Sequence, residues 1–492
     1  MIKALATRHP RLTSLRLTTD CTCPGPPGDE PGVVDLTTFR HLKRISWKGL
    51  APYNARQLRD AIRKNRHHLE EVELDLHNIY PDIPAILPPG VEEWDYFYGR
   101  EVPEDTRFRD DILSMKPRPS PLGFSFPSLR VLRLRLTPLD LGNIRRTICQ
   151  AINFAALESL TLWHCAGWQS FLACVRESTL GKPIQLRTLE VKCDEKNSWS
   201  DRTGVIEIGN LLGSFGGLVD LFVSVSDSAF EDPGTTLWYA LHHHHTTLRR
   251  LVIHWRAPFG YGARYVRDSM VLGLPRADPT YEPLSRLELE CFGLCCDPDV
   301  LVRPSLFLFP LARSRLNGQL TDRISITQPS LLRPFTFKST LKIFHLRQTG
   351  ADLNRGEECR ALDLPRVDEP GCEPQELHRV TTLYPLEYDT LEDALQDSFR
   401  ALLNWVFGPD GIASLELVAF GDFGQGRNNL YLHNLFVCRT KGDADNGGLP
   451  YRVFDARDRE HEHEWAAIVR PHWSFLGACP VGSFQSDAYY HF

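Results

Sequence analysis

The stretch "SLRVLRLRLTPLDL", Ser128 to Leu141, sets apolar teeth at a fixed spacing with charges between them. Leu129, Leu132 and Leu134 stand as L-x-x-L-x-L, and Arg133 and Arg135 follow the second and third teeth. Alternation of this kind marks a strand with one apolar face. The spacing recurs at Leu12/Leu15/Leu17, Leu42/Ile45/Trp47, Leu69/Val72/Leu74, Leu157/Leu160/Leu162, Leu186/Leu189/Val191 and Leu218/Leu221/Val223. It continues at Leu248/Leu251/Ile253, Leu284/Leu287/Leu289 and Leu341/Phe344/Leu346, with Ile412/Leu415/Leu417 as a weaker case.

At 42% hydrophobic residues, three given positions are all apolar with a chance of ~0.07, so the distance between hits carries the information. From Leu12 the first teeth follow at intervals of 30, 27, 60, 28, 29, 32, 30, 36, 57 and 71 residues. Six intervals lie between 27 and 32, and those of 60 and 57 leave room for one degenerate unit each. Parallel strands need a crossover, usually a helix. The segments "ARQLRDAIRKN" (55–65), "LGNIRRTICQAI" (141–152), "VIEIGNLLGSF" (205–215) and "TTLWYALHH" (235–243) carry helical patterning.

The expected fold is therefore an α/β solenoid with parallel strands on a concave face and helices on a convex face. Each unit buries its apolar edge only against its neighbours. A chain of 492 residues is too long for one compact core, which agrees with such an array. The period and core resemble the leucine-rich repeat. The asparagine that follows the core in many such repeats is mostly replaced: Leu134 is followed by Arg135, Leu136 and Thr137, and Leu162 by Trp163, His164 and Cys165.

The solenoid is expected over 1–349, with Pro/Gly-rich insertions at 21–35 and 80–122. The second insertion carries an aromatic cluster, Trp94, Tyr96, Phe97 and Tyr98. A loop-rich insertion follows at 350–389, then a C-terminal helix–strand region at 390–492 that continues or caps the array. In it, Thr390 is the expected N-cap of a helix whose apolar face is Leu395, Phe399, Leu402, Leu403 and Val406. "IASLELVAFGDF" then reads as a strand.

"LLNWVFGPDGIASLELVAFGDF", "LFVCR" and "FLGACP" together resemble the C-terminal region of fungal F-box-type leucine-rich-repeat proteins. The resemblance covers 395–480 most specifically and most of the chain loosely. It implies a partner-binding solenoid, the substrate-recognition part of an SCF-type ubiquitin ligase receptor. It also implies an F-box ahead of the repeats that binds a Skp-type adaptor. The first core at Leu12 leaves no room for that helical segment, so the adaptor is a partner only where an F-box lies upstream.

Other chemistry is weakly signalled. The net charge of −6 argues against general nucleic-acid binding. No apolar run is long enough for a membrane span, and the N-terminal residues have no signal-peptide core. The 13 cysteines are expected as reduced thiols of a cytoplasmic or nuclear protein. "HHHH" (His242–His245) and "RHH" (Arg66–His68) read as solvent-facing turns before the next tooth, and "HEHE" (His461–Glu464) as a solvated helix start. Cys21, Cys23, Cys291, Cys295 and Cys296 lack the paired spacing of a zinc site. "FGQGR" (423–427) lacks the rest of a phosphate loop. No catalytic residue, metal or cofactor is expected; the alternatives to a ligase receptor are a leucine-rich-repeat scaffold unconnected to ubiquitin and, more remotely, a hydrolase or metal enzyme.

If the cores are strands, the residues after the second and third teeth point away from the apolar side. They include Arg133, Arg135, Trp163, Glu190, Lys192, Phe222, His254, Glu288 and Glu290. Arginine beside exposed aromatics is typical of interface anchors, and charges around them set partner choice. The expected docking face for a protein partner is this row, anchored at Arg135, Trp163 and Phe222.

Overall fold

The computed structural model describes residues 8–9, 11–19, 35–50, 54–75, 126–137, 139, 142–179, 184–193, 204–226, 234–256, 283–294, 298, 301, 332–347, 395, 397–421, 423, 434–440, 449–456 and 460–479. Nearly all of the expected insertions at 21–35 and 80–122, and all of 350–389, lie outside these residues. So do Thr390, Cys21, Cys23, Cys295, Cys296 and the aromatic cluster at 94–98. The chain divides into two compact units, Met1–Leu221 with Val225–His244, and Phe222–Ser224 with His245–Phe492.

In the first unit the strands are hydrogen-bonded in sequence order. They are β1 (Ser14–Thr18), β2 (Arg44–Lys48), β3 (Glu71–Asp75), β4 (Val131–Arg135), β5 (Ser159–Trp163), β6 (Thr188–Cys193) and β7 (Asp220–Ser226), of which Phe222–Ser224 count with the second unit. Every pair from β1 to β6 is parallel and unstaggered, so Leu15, Ile45, Val72, Leu132, Leu160 and Leu189 fall on one line. The helices α1 (Ala55–Asn65), α2 (Gly142–Ala151), α3 (Trp168–Ser178), α4 (Gly204–Leu212) and α5 (Gly234–Leu241) supply returns. Helices α2 to α5 pack in succession. At Gly209 a β-carbon would stand 2.8 Å from Thr236 Cγ2, so the glycine sets the close approach of α4 to α5.

The second unit holds β8 (Arg250–Arg256), β9 (Cys291–Leu294), β10 (Ile343–Leu346), β11 (Leu417–Phe420), β12 (Leu435–Arg439) and β13 (Tyr451–Asp455), again in sequence order. Strands β8 to β11 are parallel, whereas β11–β12 and β12–β13 are antiparallel. Helix α6 (Asp397–Phe407) precedes β11, and its Phe399 ring lies 5.1 Å from that of Phe420. All five residues of its expected apolar face are buried. The sheet is thus mostly parallel, with helices alternating between strands in a solenoid-like α/β arrangement. Among the described residues no helix is long and apolar enough to cross a membrane.

Two cores sit in a different register from the expected one. Leu251 pairs with Phe292, not Leu287, and Phe344 with Val418, not Leu415. The true teeth are Leu289/Phe292/Leu294 and Leu415/Val418/Phe420. Both stretches fit the template twice, because the last tooth of the first match, or its middle tooth, opens the second. In "LSRLELECFGL" the first match instead forms a 3₁₀ turn, Pro283–Arg286, with Leu284 and Leu287 buried at its ends.

The register is held at the heads of β2 to β7 and β9 to β11. The carbonyl of Thr13 accepts from the amides of Lys43 and Arg44, and that of Lys43 from Glu70 and Glu71. The same fork recurs from Glu70, Arg130, Glu158, Arg187, Arg249, Glu290 and Lys342 to the two residues heading the next strand. The residue just after the first tooth alternates in charge through most of these forks. It reads Lys43, Glu70, Arg130, Glu158 and Arg187 in one unit and Arg249, Glu290, Lys342 and Glu416 in the other. Lys43 meets Glu70 at 2.7 Å, and Arg130 pairs with Glu158.

Buried polar side chains close the turn ahead of the next repeat. Asn65 accepts from the amide of Leu42 at 3.0 Å and donates to the carbonyls of Phe39 and Ala61 at 3.0 and 2.8 Å. His244 does the same work five repeats later. Its Nδ1 accepts from the Leu218 amide at 3.2 Å and its Nε2 meets the Leu212 carbonyl at 3.0 Å. Each stands four residues before a first tooth, Leu69 or Leu248, and binds the first tooth of the repeat before. The expectation that the histidine run faces solvent fails here: His244 is fully buried, because its ring fills the place that Asn65 fills elsewhere.

Burial lowers the pKa of His244, and accepting from Leu218 requires a neutral ring. A lowered folded-state value means that its contribution is complete above the unfolded value of about 6.5 and is lost as pH falls toward the folded one. His244→Phe keeps an aromatic ring but leaves an amide and a carbonyl unmatched, so it should destabilise the first unit by about 2–4 kcal/mol at pH 7.5. The gap to wild type should narrow at pH 5.5 in urea titrations followed by circular dichroism.

Candidate functional site

The unstaggered ladder puts the residues between the teeth into rows on the side of the sheet opposite the teeth. One row is Ser46, Glu73, Arg133, Thr161 and Glu190, and the next is Asp75, Arg135, Trp163 and Lys192. Five of the nine expected site residues, Arg133, Arg135, Trp163, Glu190 and Lys192, therefore do stand side by side on β4 to β6. Arg133, Trp163 and Glu190 are partly exposed, whereas Arg135 and Lys192 are buried.

Glu73 is the hub of this face. It accepts from Ser46 Oγ at 2.8 Å, and its other oxygen is 3.1 Å from Arg135 Nη2 and 3.9 Å from Lys48 Nζ. The Arg135 guanidinium also lies 3.9 Å over the Trp163 ring, a cation–π contact. Arg133 pairs with Glu71. Burial alone would raise the Glu73 pKa, but Arg135, the Ser46 hydroxyl, Lys48 and Arg133 outweigh it and hold the carboxyl below its ordinary value. Burial lowers the Arg135 value, opposed by Glu73, Asp75 and Glu190. Burial and then Arg135 likewise lower that of Lys48. The face is thus a set of mutually balanced charges centred on Glu73.

The other four expected residues are placed differently. Phe222 is only 3% exposed and its ring lies 6.3 Å from that of Phe475. Its expected exposure was wrong, because the chain's own C-terminal residues cover it. His254 is buried, and its Nδ1 accepts from Arg347 Nη1 at 3.1 Å. Glu288 and Glu290 precede β9 rather than lie within it, a consequence of the register correction at Leu289. Glu288 is exposed and 3.7 Å from Lys338, while the Glu290 carbonyl heads the fork to β10.

One pairing escaped the sequence. Cys291 Sγ lies 3.3 Å from His472 Nδ1 across 181 residues of chain. The thiol is fully buried. The pKa of His472 is lowered by burial first, with Arg250 and Lys342 adding to it and Glu290 and Glu416 opposing. "HEHE" does open a helix, α7 (Glu462–Val469), whose Trp465 is buried. Among the described residues no group of three or more His, Cys, Asp or Glu side chains is placed to hold a metal ion. No protein-family model matches the chain, nor does any curated protein.

Because the folded-state value of Glu73 is lowered, its contribution is complete above about pH 4.3 and is lost as pH falls through the folded value. Glu73→Gln removes one of the acids that offset the buried charge of Arg135 and should cost about 3 kcal/mol at pH 7. The difference from wild type should shrink at pH 3.5, read by denaturant titration of both proteins.

Proposed function

We propose that the chain is a non-catalytic protein–protein interaction module, a leucine-rich-repeat solenoid serving as the substrate-recognition part of an SCF-type ubiquitin ligase receptor. The observation that carries the interaction reading is the alignment of Glu73, Arg133, Thr161 and Glu190 on four successive parallel strands. Such a row reads a partner through shape and charge pattern over several repeats at once. Arg133, Trp163 and Glu190 are the partly exposed members that a partner touches, and Arg135 sets the Trp163 ring from beneath.

The ligase connection rests on the resemblance of 395–480 to fungal F-box-type proteins. The adaptor joins only through an F-box upstream of the repeats, and a receptor of this kind works in the cytoplasm or nucleus. Without that connection the same face belongs to a scaffold unrelated to ubiquitin.

A second reading, a cysteine hydrolase, is favoured by the Cys291–His472 contact alone. A thiol with no exposed surface cannot meet a substrate while the segment holding His472 stays in place.

Affinity purification of the chain followed by mass spectrometry tests these readings. Charge reversal by Arg133→Glu with Glu190→Lys should reduce recovery of the main partner by about tenfold, and denaturant titration of the same variant separates lost binding from the cost of parting Arg133 from Glu71. Unchanged recovery contradicts the assignment of the face. A Skp-type adaptor recovered with the chain and its upstream segment supports the ligase role, and stable partners without it support the scaffold. Cys291→Ala should leave recovery as in wild type.

A further inference from the structure

Two thiols of the first unit meet between neighbouring return helices. Cys149 lies on α2 and Cys174 on α3, and these helices pack side by side. Both are free cysteines; Cys149 is buried and Cys174 partly exposed.

The flanks of the helices fix the meeting. On α3 the Arg176 guanidinium turns to α4, where its Nη2 lies 3.9 Å from Glu207 Oε2. Two residues along a helix are about 200° apart around it, so Cys174 stands on the opposite flank, the one toward α2. Phe171, one turn before Cys174 on that flank, meets Phe154 just beyond the end of α2, with ring centroids 6.4 Å apart. Between the helices the Cys149 thiol donates a hydrogen bond to the Cys174 sulfur. Burial first, and then the Cys174 sulfur, push the Cys149 thiol up, so Cys149 keeps its proton at neutral pH. Cys165, between them in sequence, is engaged elsewhere: its Sγ meets the Leu134 carbonyl at 3.4 Å.

The pair has divided roles. A small oxidant reaches the partly exposed Cys174, and the buried Cys149 waits beside it. An accessible cysteine with a second thiol at hand is the arrangement in which oxidation stops at a reversible disulfide.

We propose that Cys149 and Cys174 are a redox modification site, which a hydroperoxide converts to a disulfide. The Cys174 sulfur attacks the terminal peroxide oxygen and the O–O bond breaks. The other oxygen leaves with the Cys174 proton as alcohol or water, and Cys174 becomes a sulfenic acid. The Cys149 sulfur then attacks the Cys174 sulfur, the S–O bond breaks, and the departing hydroxide takes the Cys149 proton as water. Each sulfur gives up one electron and the peroxide takes up both. Exchange with a small thiol reverses the step. The bond joins the helix between β4 and β5 to the helix between β5 and β6, and so staples the repeats that carry Arg133, Arg135 and Trp163. The site stands whether or not that face binds a partner.

The test treats the full chain with hydrogen peroxide, unfolds it, alkylates the remaining thiols and reads a trypsin and Glu-C digest by mass spectrometry. No lysine or arginine interrupts 147–175, and Glu158 separates Cys149 from Cys165 and Cys174. The expected product is 147–158 bridged to 159–176, with fragmentation placing the bond at Cys174 and dithiothreitol removing it. Cys174→Ser should abolish the bridge and Cys165→Ser should keep it. Cys149 recovered fully alkylated after peroxide overturns the proposal, as does Cys149 bridged to Cys165 as often as to Cys174. Both of those outcomes are read on the wild-type chain, so they decide the matter even where a variant does not fold.

Discussion

Two neighbouring amides sharing one carbonyl at the head of nine of the parallel strands, β2 to β7 and β9 to β11, fix everything that follows. From Thr13 to Lys342 the fork ties the residue after a first tooth, and the next residue, to the strand before. Side chains alternate along a strand, so a slip of one residue would turn every tooth to the wrong side. With the fork in place, leucine meets leucine from strand to strand, and the residues between them form rows. Alternating charge at the forked position opposes the slipped pairings, and the burial of Asn65 and His244 closes the turn that leads into the next fork.

The rows have opposite characters in the two units. In the first, charges are balanced within the chain: Glu73 holds Ser46 and Arg135 while Arg135 supports Trp163. In the second, the row is apolar and carries Phe475 and Trp465 of the C-terminal segment. One architecture thus carries a charged row in one unit and a largely apolar row in the other, and the choice is made by single residues at equivalent ladder positions.

Much of this was legible in the sequence. The period located β1 to β8 and β10, and "ARQLRDAIRKN" matches α1 residue for residue. The template failed at Leu289 and Leu415, where overlapping matches compete. The sign of the residue after the first tooth would have chosen correctly there: Glu290 and Glu416 extend the alternation that Arg249 and Lys342 begin. The turn-closing role of His244 stayed hidden because a different residue type, Asn65, fills the matching place. The cover over Phe222 was out of reach of any local pattern, since Phe475 lies some 250 residues away and only the folded sheet brings the two together.

Engineered cross-strand disulfides test the register most directly. Ser159 and Thr188 are partners on β5 and β6, and parallel neighbours lie about 4.8 Å apart, within reach of a disulfide. Offsetting one partner by two residues carries the pair beyond about 7 Å, where no bridge forms without backbone movement. The account predicts that Ser159→Cys with Thr188→Cys oxidises to a bridged peptide seen by mass spectrometry, and that Ser159→Cys with Glu190→Cys does not. Bridging of the offset pair alone would contradict the ladder and the rows built on it.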